Sequence, residues 1–153
     1  MIYTDFSFTA SLYALDDNTR RANEIYPADR RRPLFFTVWQ ELELLNTLRL
    51  GIHLARRAKA ASRYSVANCR KRIAEDLQNG ILRRVELDWP QCVRRANELS
   101  EESSEKLGVV MLDIWQVACA MELRAEVFWT FDRDQEVLAR ATGHFKSVIG
   151  LAG

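Results

Sequence analysis

Apolar residues recur along this chain in two patterns, short continuous runs and longer segments with helical spacing. Residues 2–3, 33–38 and 127–131 are runs of apolar, aromatic and β-branched residues, which predict buried strands of about five residues or fewer. Residues 82–87 alternate in polarity like a strand, and residues 144–149 predict a short edge strand. These runs are separated by helical segments, and parallel neighbours need such crossover connections. The pattern therefore favours a parallel sheet.

The segments between the runs have the 3.6-residue period of amphipathic helices. In residues 39–61 the apolar residues at this spacing are Leu42, Leu45, Leu48, Ile52 and Ala55. Residues 112–123 are apolar on nearly all sides, which predicts a helix buried by neighbours on both sides. Asp88 precedes Trp89-Pro90 and predicts a helix N-cap. We expect one α/β domain over residues 1–153, doubly wound in three α/β/α layers around a mainly parallel sheet of four to five strands.

Composition narrows the class of protein. Hydrophobic residues make up 48% of the 153 residues and charged residues 28%, as in globular domains. Charges interrupt every apolar stretch before the roughly 18 to 20 residues that a membrane span needs, and the first residues lack a secretory pattern, so we expect a cytoplasmic protein. Cys69, Cys92 and Cys119 have no Cys-x-x-Cys spacing, which indicates buried reduced thiols.

The net charge of +1 conceals 22 basic and 21 acidic residues, and the basic residues are clustered. Such clusters can follow a phosphate backbone, although a solvated surface is the simpler interpretation of each one alone. The clusters are Arg30 to Arg32, Arg56-Arg57 with Lys59, Arg70 to Arg72, Arg83-Arg84 and Arg94-Arg95.

Four acids fall where ligands bind in a parallel sheet. Asp5 and Asp132 end two predicted strands, Glu43 lies early in the helix after the second strand, and Asp113 opens the buried helix. Ligands bind outside the carboxyl ends of such strands, so we expect the four to converge. Gathered carboxylates repel one another unless a hard cation neutralises them, and no His or Cys stands at ligand spacing, so Mg²⁺ or Mn²⁺ is predicted over zinc. Such an ion suits hydrolysis of a phosphate ester.

Each acid also has a purely structural interpretation. Asp113 and Asp132 have the residue type of helix N-caps. Glu43 can be a solvated helix residue, and Glu41, two positions away, is a competing candidate for the metal-ligand position. Asp5 is the hardest to explain this way, because an acid directly after a buried strand rarely has a packing role. The pattern alone leaves both interpretations open.

Four short motifs in order resemble those of PIN-domain proteins, and most closely the VapC-like toxins of bacterial toxin–antitoxin pairs. They are Tyr3-Thr4-Asp5-Phe6-Ser7, Glu43-Leu44-Leu45-Asn46 with Leu48, Leu112-Asp113 with Val117-Ala118 and Ala120, and Thr130-Phe131-Asp132. The resemblance covers nearly the whole chain. It implies a Mg²⁺- or Mn²⁺-dependent endoribonuclease in which Asp5, Glu43, Asp113 and Asp132 match the family's acidic positions, and Ser7, Asn46 and Thr130 match its supporting polar positions.

The resemblance also implies an RNA substrate, a homodimer and a small antitoxin partner. Two residues depart from the family pattern: Phe6 replaces a residue that is usually small and polar, and Gln116 stands where many relatives carry histidine. Both departures can alter how the substrate fits and can weaken catalysis, but neither removes a predicted ligand. A non-catalytic or weakly active PIN-like module that binds RNA or protein is therefore the alternative function. We expect Trp39, Leu42 and Trp115 in the core rather than at an interface.

A receiver-like phosphotransfer domain is a second alternative, because it too gathers acids and a metal at strand ends. It needs a lysine near a later strand end, and Lys146 is the only candidate. The phosphate-binding Gly-x-Gly-x-x-Gly and Gly-x-x-x-x-Gly-Lys patterns and the Gly-x-Ser-x-Gly elbow do not occur. His53 and His144 are isolated, which favours structural or surface roles over catalysis.

Overall fold

The computed structural model describes residues 1–26 and 32–150. Within them the chain forms seven helices and five strands, and the paired strands run parallel. The predicted α/β class with parallel strands is therefore confirmed. Each strand is three residues long, so the longer predicted runs extend beyond their strands into loops, and Val38, predicted to end a strand, is instead the first residue of a helix.

The helices and strands group into two compact units. The first, here called the terminal unit, combines Met1–Asp5 with the chain from Glu86 onward, and the second, the middle unit, is Phe6–Val85. In chain order the elements are β1 Ile2–Thr4, α1 Phe6–Tyr13, α2 Thr19–Ile25, β2 Leu34–Phe36, α3 Val38–Arg57, α4 Val66–Gln78, β3 Leu82–Arg84, α5 Trp89–Leu107, α6 Met111–Glu122, β4 Val127–Trp129, α7 Arg133–Ala141 and β5 Ser147–Ile149.

In the terminal unit, β4 lies between β1 and β5 and pairs in parallel with both. Tyr3 of β1 and Phe128 of β4 stack at 5.8 Å between ring centroids, and both rings are buried. Thr4 stands opposite Trp129 in the register. The residues that follow β1 and β4 therefore leave the sheet side by side at its carboxyl edge.

Helix α6 is buried on nearly all sides, as its apolar sequence predicts: every residue from 113 to 120 is buried. Trp115, predicted to be a core residue, is buried and stacks on Trp89 at 5.8 Å. Helix α5 continues through the polar stretch at residues 100–104, where the hydroxyls of Ser100 and Ser104 lie 3.1 Å apart. It ends at Gly108, whose φ of 69° is the left-handed conformation that glycine adopts without strain.

In the middle unit, β2 pairs in parallel with β3, and α3 starts with a capping box between Thr37 and Gln40. The buried face of α3 is formed by Gln40, Leu44 and Leu48, which are four residues apart. Leu42 is 59% exposed, so its predicted core position is wrong. Two helical residues turn the side chain by roughly 200°, which places Leu42 on the face opposite Leu44. Trp39 is half-buried.

Two basic residues of the middle unit, Arg72 and Arg84, make contacts within the fold. The Arg72 guanidinium donates to the backbone carbonyls of Leu12 and Tyr13 at 3.0 and 3.3 Å, and Arg84 forms an ion pair with Glu41 at 2.7 Å. Of the first basic cluster, Arg30 and Arg31 lie outside the described residues, and Arg32 is exposed.

The three cysteines are reduced and buried, as predicted. None of the helices in the described parts of the chain is both long and apolar enough to cross a bilayer.

The start of α5 provides a test of the fold. Asp88 is the N-cap, as predicted, and its Oδ1 accepts the backbone N–H of Gln91 at 3.1 Å. We expect Asp88→Ala to lower the free energy of unfolding by about 1 kcal/mol, because a helix N–H loses its acceptor. Asp88→Ser should lower it much less in the same urea titration. An equal loss in both variants would show that the cap is unimportant.

Candidate metal centre

Asp5 is the first residue after β1 and is completely buried. Its backbone N–H donates to the Trp129 carbonyl at 3.0 Å, continuing the β1–β4 pairing by one residue. Its carboxylate Oδ2 accepts a hydrogen bond from the Thr130 hydroxyl at 2.9 Å. The parallel pairing thus fixes an acid at the carboxyl edge of the sheet, where the sequence predicts it.

Thr130 links two of the predicted acids. Its hydroxyl donates to Asp5 and accepts the backbone N–H of Asp132 at 2.8 Å. Thr130 is itself fully buried, directly after β4. The predicted supporting residue therefore ties the Asp5 side chain to the backbone at the start of α7.

Asp132 is the N-cap of α7, so the structural interpretation of this residue is correct. Its Oδ1 accepts the backbone N–H groups of Asp134 at 2.8 Å and Gln135 at 3.1 Å. Its Oδ2 accepts no hydrogen bond from the described residues and remains available as a ligand. Capping and metal binding are compatible, because each needs only one carboxylate oxygen.

Asp113 is the third residue of α6 rather than its N-cap, and it is 7% exposed. Its Oδ2 accepts the Val110 backbone N–H at 3.3 Å, and its Oδ1 accepts the side-chain amide of Gln135 at 3.4 Å. Burial and then the nearby Asp132 carboxylate raise the pKa of Asp113, while these two hydrogen bonds act in the opposite direction. In this environment the ionised form is therefore disfavoured.

Three carboxylates of the terminal unit converge on one point. Asp113, Asp132 and Asp134 each contribute an oxygen, and these oxygens all lie within 4.8 Å of one another. We call these three residues the acidic group. Opposite ligands of an octahedral Mg²⁺ lie about 4.2 Å apart, so small side-chain movements suffice to hold one ion. Asp5 is joined to this group through Thr130.

The donor set suits a hard divalent cation. The acidic group offers oxygen ligands only, which favour Mg²⁺ or Mn²⁺ over softer metals. Asp132 and Asp134 also stand at the N-terminus of α7, where the helix dipole offsets part of their negative charge. Burial and then repulsion by Asp132 raise the pKa of Asp113, and a cation at this position would offset that repulsion.

Asp134 is a candidate ligand that our sequence interpretation did not include. It follows Asp132 by two residues, on the first turn of α7, and the Asp-x-Asp spacing at the end of a strand was its only sequence indication. The convergence with Asp113 depends on the packing of α6 against α7, which no local pattern shows.

Three predicted residues belong to the middle unit: Glu43, Ser7 and Asn46. Glu43 is half-buried and Asn46 exposed on α3, and Ser7 is half-buried in the first turn of α1. Their part in the site stays a prediction, whereas Asp5, Asp113, Asp132 and Thr130 are linked within the terminal unit. Glu41, the competing candidate for the position of Glu43, forms an ion pair with Arg84.

The two departures from the family pattern have different surroundings. Gln116 is fully buried, and its Oε1 accepts the Tyr3 hydroxyl at 2.7 Å, which gives this residue a structural role between α6 and β1. Phe6 is half-buried at the start of α1.

A comparison of the sequence with known protein families finds no match, and no curated protein matches it either. The PIN-domain resemblance therefore remains a prediction that depends on the four motifs.

The Thr130 bridge generates the first prediction for the site. We expect Thr130→Val to destabilise the protein by about 1 to 3 kcal/mol, because buried polar groups of Asp5 and Asp132 each lose a hydrogen-bond partner. Thr130→Ser keeps the oxygen and should recover most of this loss. Urea unfolding of both variants measures the difference. Equal destabilisation by Val and Ser would mean that the hydroxyl is not the important group.

The raised pKa of Asp113 generates a second prediction. Its folded-state pKa lies above the unfolded one, so the ionised carboxylate opposes folding at neutral pH, and this cost disappears as the pH falls through the folded pKa. We therefore expect Asp113→Asn to raise the Tm of the metal-free protein at pH 7, by roughly 2 to 4 °C for each kcal/mol relieved. The gain should shrink toward pH 4.

Exposed Glu102 on α5 provides the matched control, because Glu102→Gln removes a solvated charge and should leave the Tm nearly unchanged. A lower Tm for Asp113→Asn at pH 7 would contradict the electrostatic account of this site.

Proposed function

We propose that this protein is a Mg²⁺- or Mn²⁺-dependent endoribonuclease, and the toxin of a toxin–antitoxin pair. The observation that carries the proposal is the convergence of Asp113, Asp132 and Asp134, with Asp5 attached through Thr130. Carboxylates crowded together are costly to the fold unless a cation neutralises them, and ligands of parallel sheets bind at this carboxyl edge.

In this proposal the acidic group holds the cation and Asp5 completes the site within the terminal unit, while Glu43 stays a fourth acid predicted from the sequence alone. A bound divalent ion supplies activation of a water molecule and stabilisation of charge on the phosphodiester. Thr130 orients Asp5 by its hydrogen bond, and the two N–H groups of α7 orient Asp132. These contacts fix the carboxylates before any ligand arrives, which limits the reorganisation that catalysis requires.

RNA as the substrate is supported by the PIN-domain resemblance and by surface cations. Arg133 lies between Asp132 and Asp134, is exposed, and stands on the first turn of α7. A guanidinium there can bind a phosphate next to the one that is cleaved. We also propose that the protein binds a small antitoxin, forms a homodimer and is located in the cytoplasm.

The alternative is a PIN-like module that binds RNA or protein without cutting it. The presence of Phe6 and Gln116 at their positions favours this alternative to some degree, because both differ from the family pattern. The acidic group favours the enzyme, since binding alone does not need carboxylates gathered beside an RNA phosphate.

Cleavage of a labelled RNA set, single-stranded and structured, tests the proposal. We expect cleavage with Mg²⁺ or Mn²⁺ and none with EDTA. Asp5→Asn and Asp113→Asn should each reduce the rate at least 100-fold, because loss of even an outer-shell partner of a metal site costs about 10- to 100-fold. Circular dichroism of each variant confirms that it is folded.

Glu102→Gln, prepared in parallel from the same strain, serves as the control for contaminating nuclease and should cleave like the wild type. Equal cleavage by wild type and Asp113→Asn would exclude the catalytic assignment. RNA binding without cleavage under all metal conditions would support the non-catalytic module instead.

A further inference from the structure

Gln135, the third residue of α7, contacts two members of the acidic group. Its side-chain Nε2 donates to Asp113 Oδ1 at 3.4 Å, and its backbone N–H donates to Asp132 Oδ1 at 3.1 Å. The residue is 1% exposed. A neutral amide is therefore enclosed against the carboxylates from which the proposed site is built.

The other end of this amide has no partner. Gln135 Oε1 is buried and accepts no hydrogen bond from any of the described residues. Buried acceptors of this kind are rare in native proteins, so the present orientation of the amide satisfies only one of its two ends. The bond that Nε2 makes is long for a hydrogen bond to a charged acceptor, so the amide is held weakly in its present orientation.

We propose that Gln135 is a ligand of the divalent cation, which it binds through Oε1 after a half turn of its amide about the Cγ–Cδ bond. The inference rests on the metal site of the proposed function. The half turn exchanges Oε1 and Nε2, which have nearly the same size and shape. Oε1 then takes the place that Nε2 occupies, 3.4 Å from Asp113 Oδ1.

This position matches the spacing of metal ligands. Two oxygens on adjacent corners of an octahedral Mg²⁺ lie about 3 Å apart, and 3.4 Å is close to that value before any adjustment. An amide oxygen also adds no charge. The three carboxylates already outweigh the charge of one divalent ion, so a neutral fourth ligand increases coordination without further repulsion.

The competing explanation is that Gln135 only orients Asp113 through its N–H. Substitutions separate the two roles. Gln135→Met fills the same space with neither an oxygen nor an N–H group. Gln135→Glu keeps carboxyl oxygens in the same place but has no N–H, so it preserves ligation and abolishes donation to Asp113.

Binding of Mn²⁺ alone, without RNA, tests the inference. Electron paramagnetic resonance of free Mn²⁺ gives the affinity, and water-proton relaxation gives the number of waters on the bound ion. We expect Gln135→Met to bind Mn²⁺ about 10- to 100-fold more weakly and to carry one additional water. Gln135→Glu should bind Mn²⁺ more tightly than Gln135→Met, because it keeps an oxygen ligand at this position. Glu102→Gln, in the same unit, should not change either value.

Wild-type affinity and water number in Gln135→Met would overturn the inference and leave the proposed function intact. Weakening of Gln135→Glu to the level of the Met variant would overturn it in favour of the N–H role. Absence of Mn²⁺ binding by the wild type at millimolar concentration would overturn the metal site and this inference together. Where circular dichroism shows that the Met variant is unfolded, Gln135→Asn replaces it, because its amide is one methylene too short to reach the ion.

Discussion

Electrostatic repulsion among carboxylates at one edge of the sheet is the constraint on which the site depends. Parallel pairing of β1 with β4 brings Asp5 and Thr130 side by side, and the chain then turns directly into α7 with Asp132 as its cap. Helix α6 contributes Asp113, which is buried and whose pKa is raised. The backbone N–H groups and the α7 dipole compensate part of the negative charge, and the divalent cation that we propose would compensate the remainder.

The same contacts that cap and connect the secondary structure also prepare the site. Asp132 uses one carboxylate oxygen to cap α7, and Thr130 connects Asp5 to the α7 N-terminus. Functional and structural interpretations of these residues are therefore not exclusive. The conflict is confined to Asp113, where burial raises the pKa and so works against the charge that a metal ligand would carry.

Local patterns predicted the parts of this structure that depend on local physics. The strand-then-acid pattern located Asp5 and Asp132, and the residue type at the start of α5 identified Asp88 as a cap. The core prediction for Leu42 is wrong because apolar character alone does not fix burial, and the buried face of α3 is the side that meets its neighbours. Asp134 and Gln135 were missed because their role depends on α6 packing against α7, a contact between residues distant in sequence.

The central claim is that the acidic group binds a divalent metal ion. Its most direct test is a crystal structure after soaking with Mn²⁺, with anomalous diffraction recorded at the manganese edge. We expect one strong anomalous peak within about 2.5 Å of carboxylate oxygens of Asp113 and Asp132. A map with no peak at this position, from crystals soaked in millimolar Mn²⁺, would contradict it.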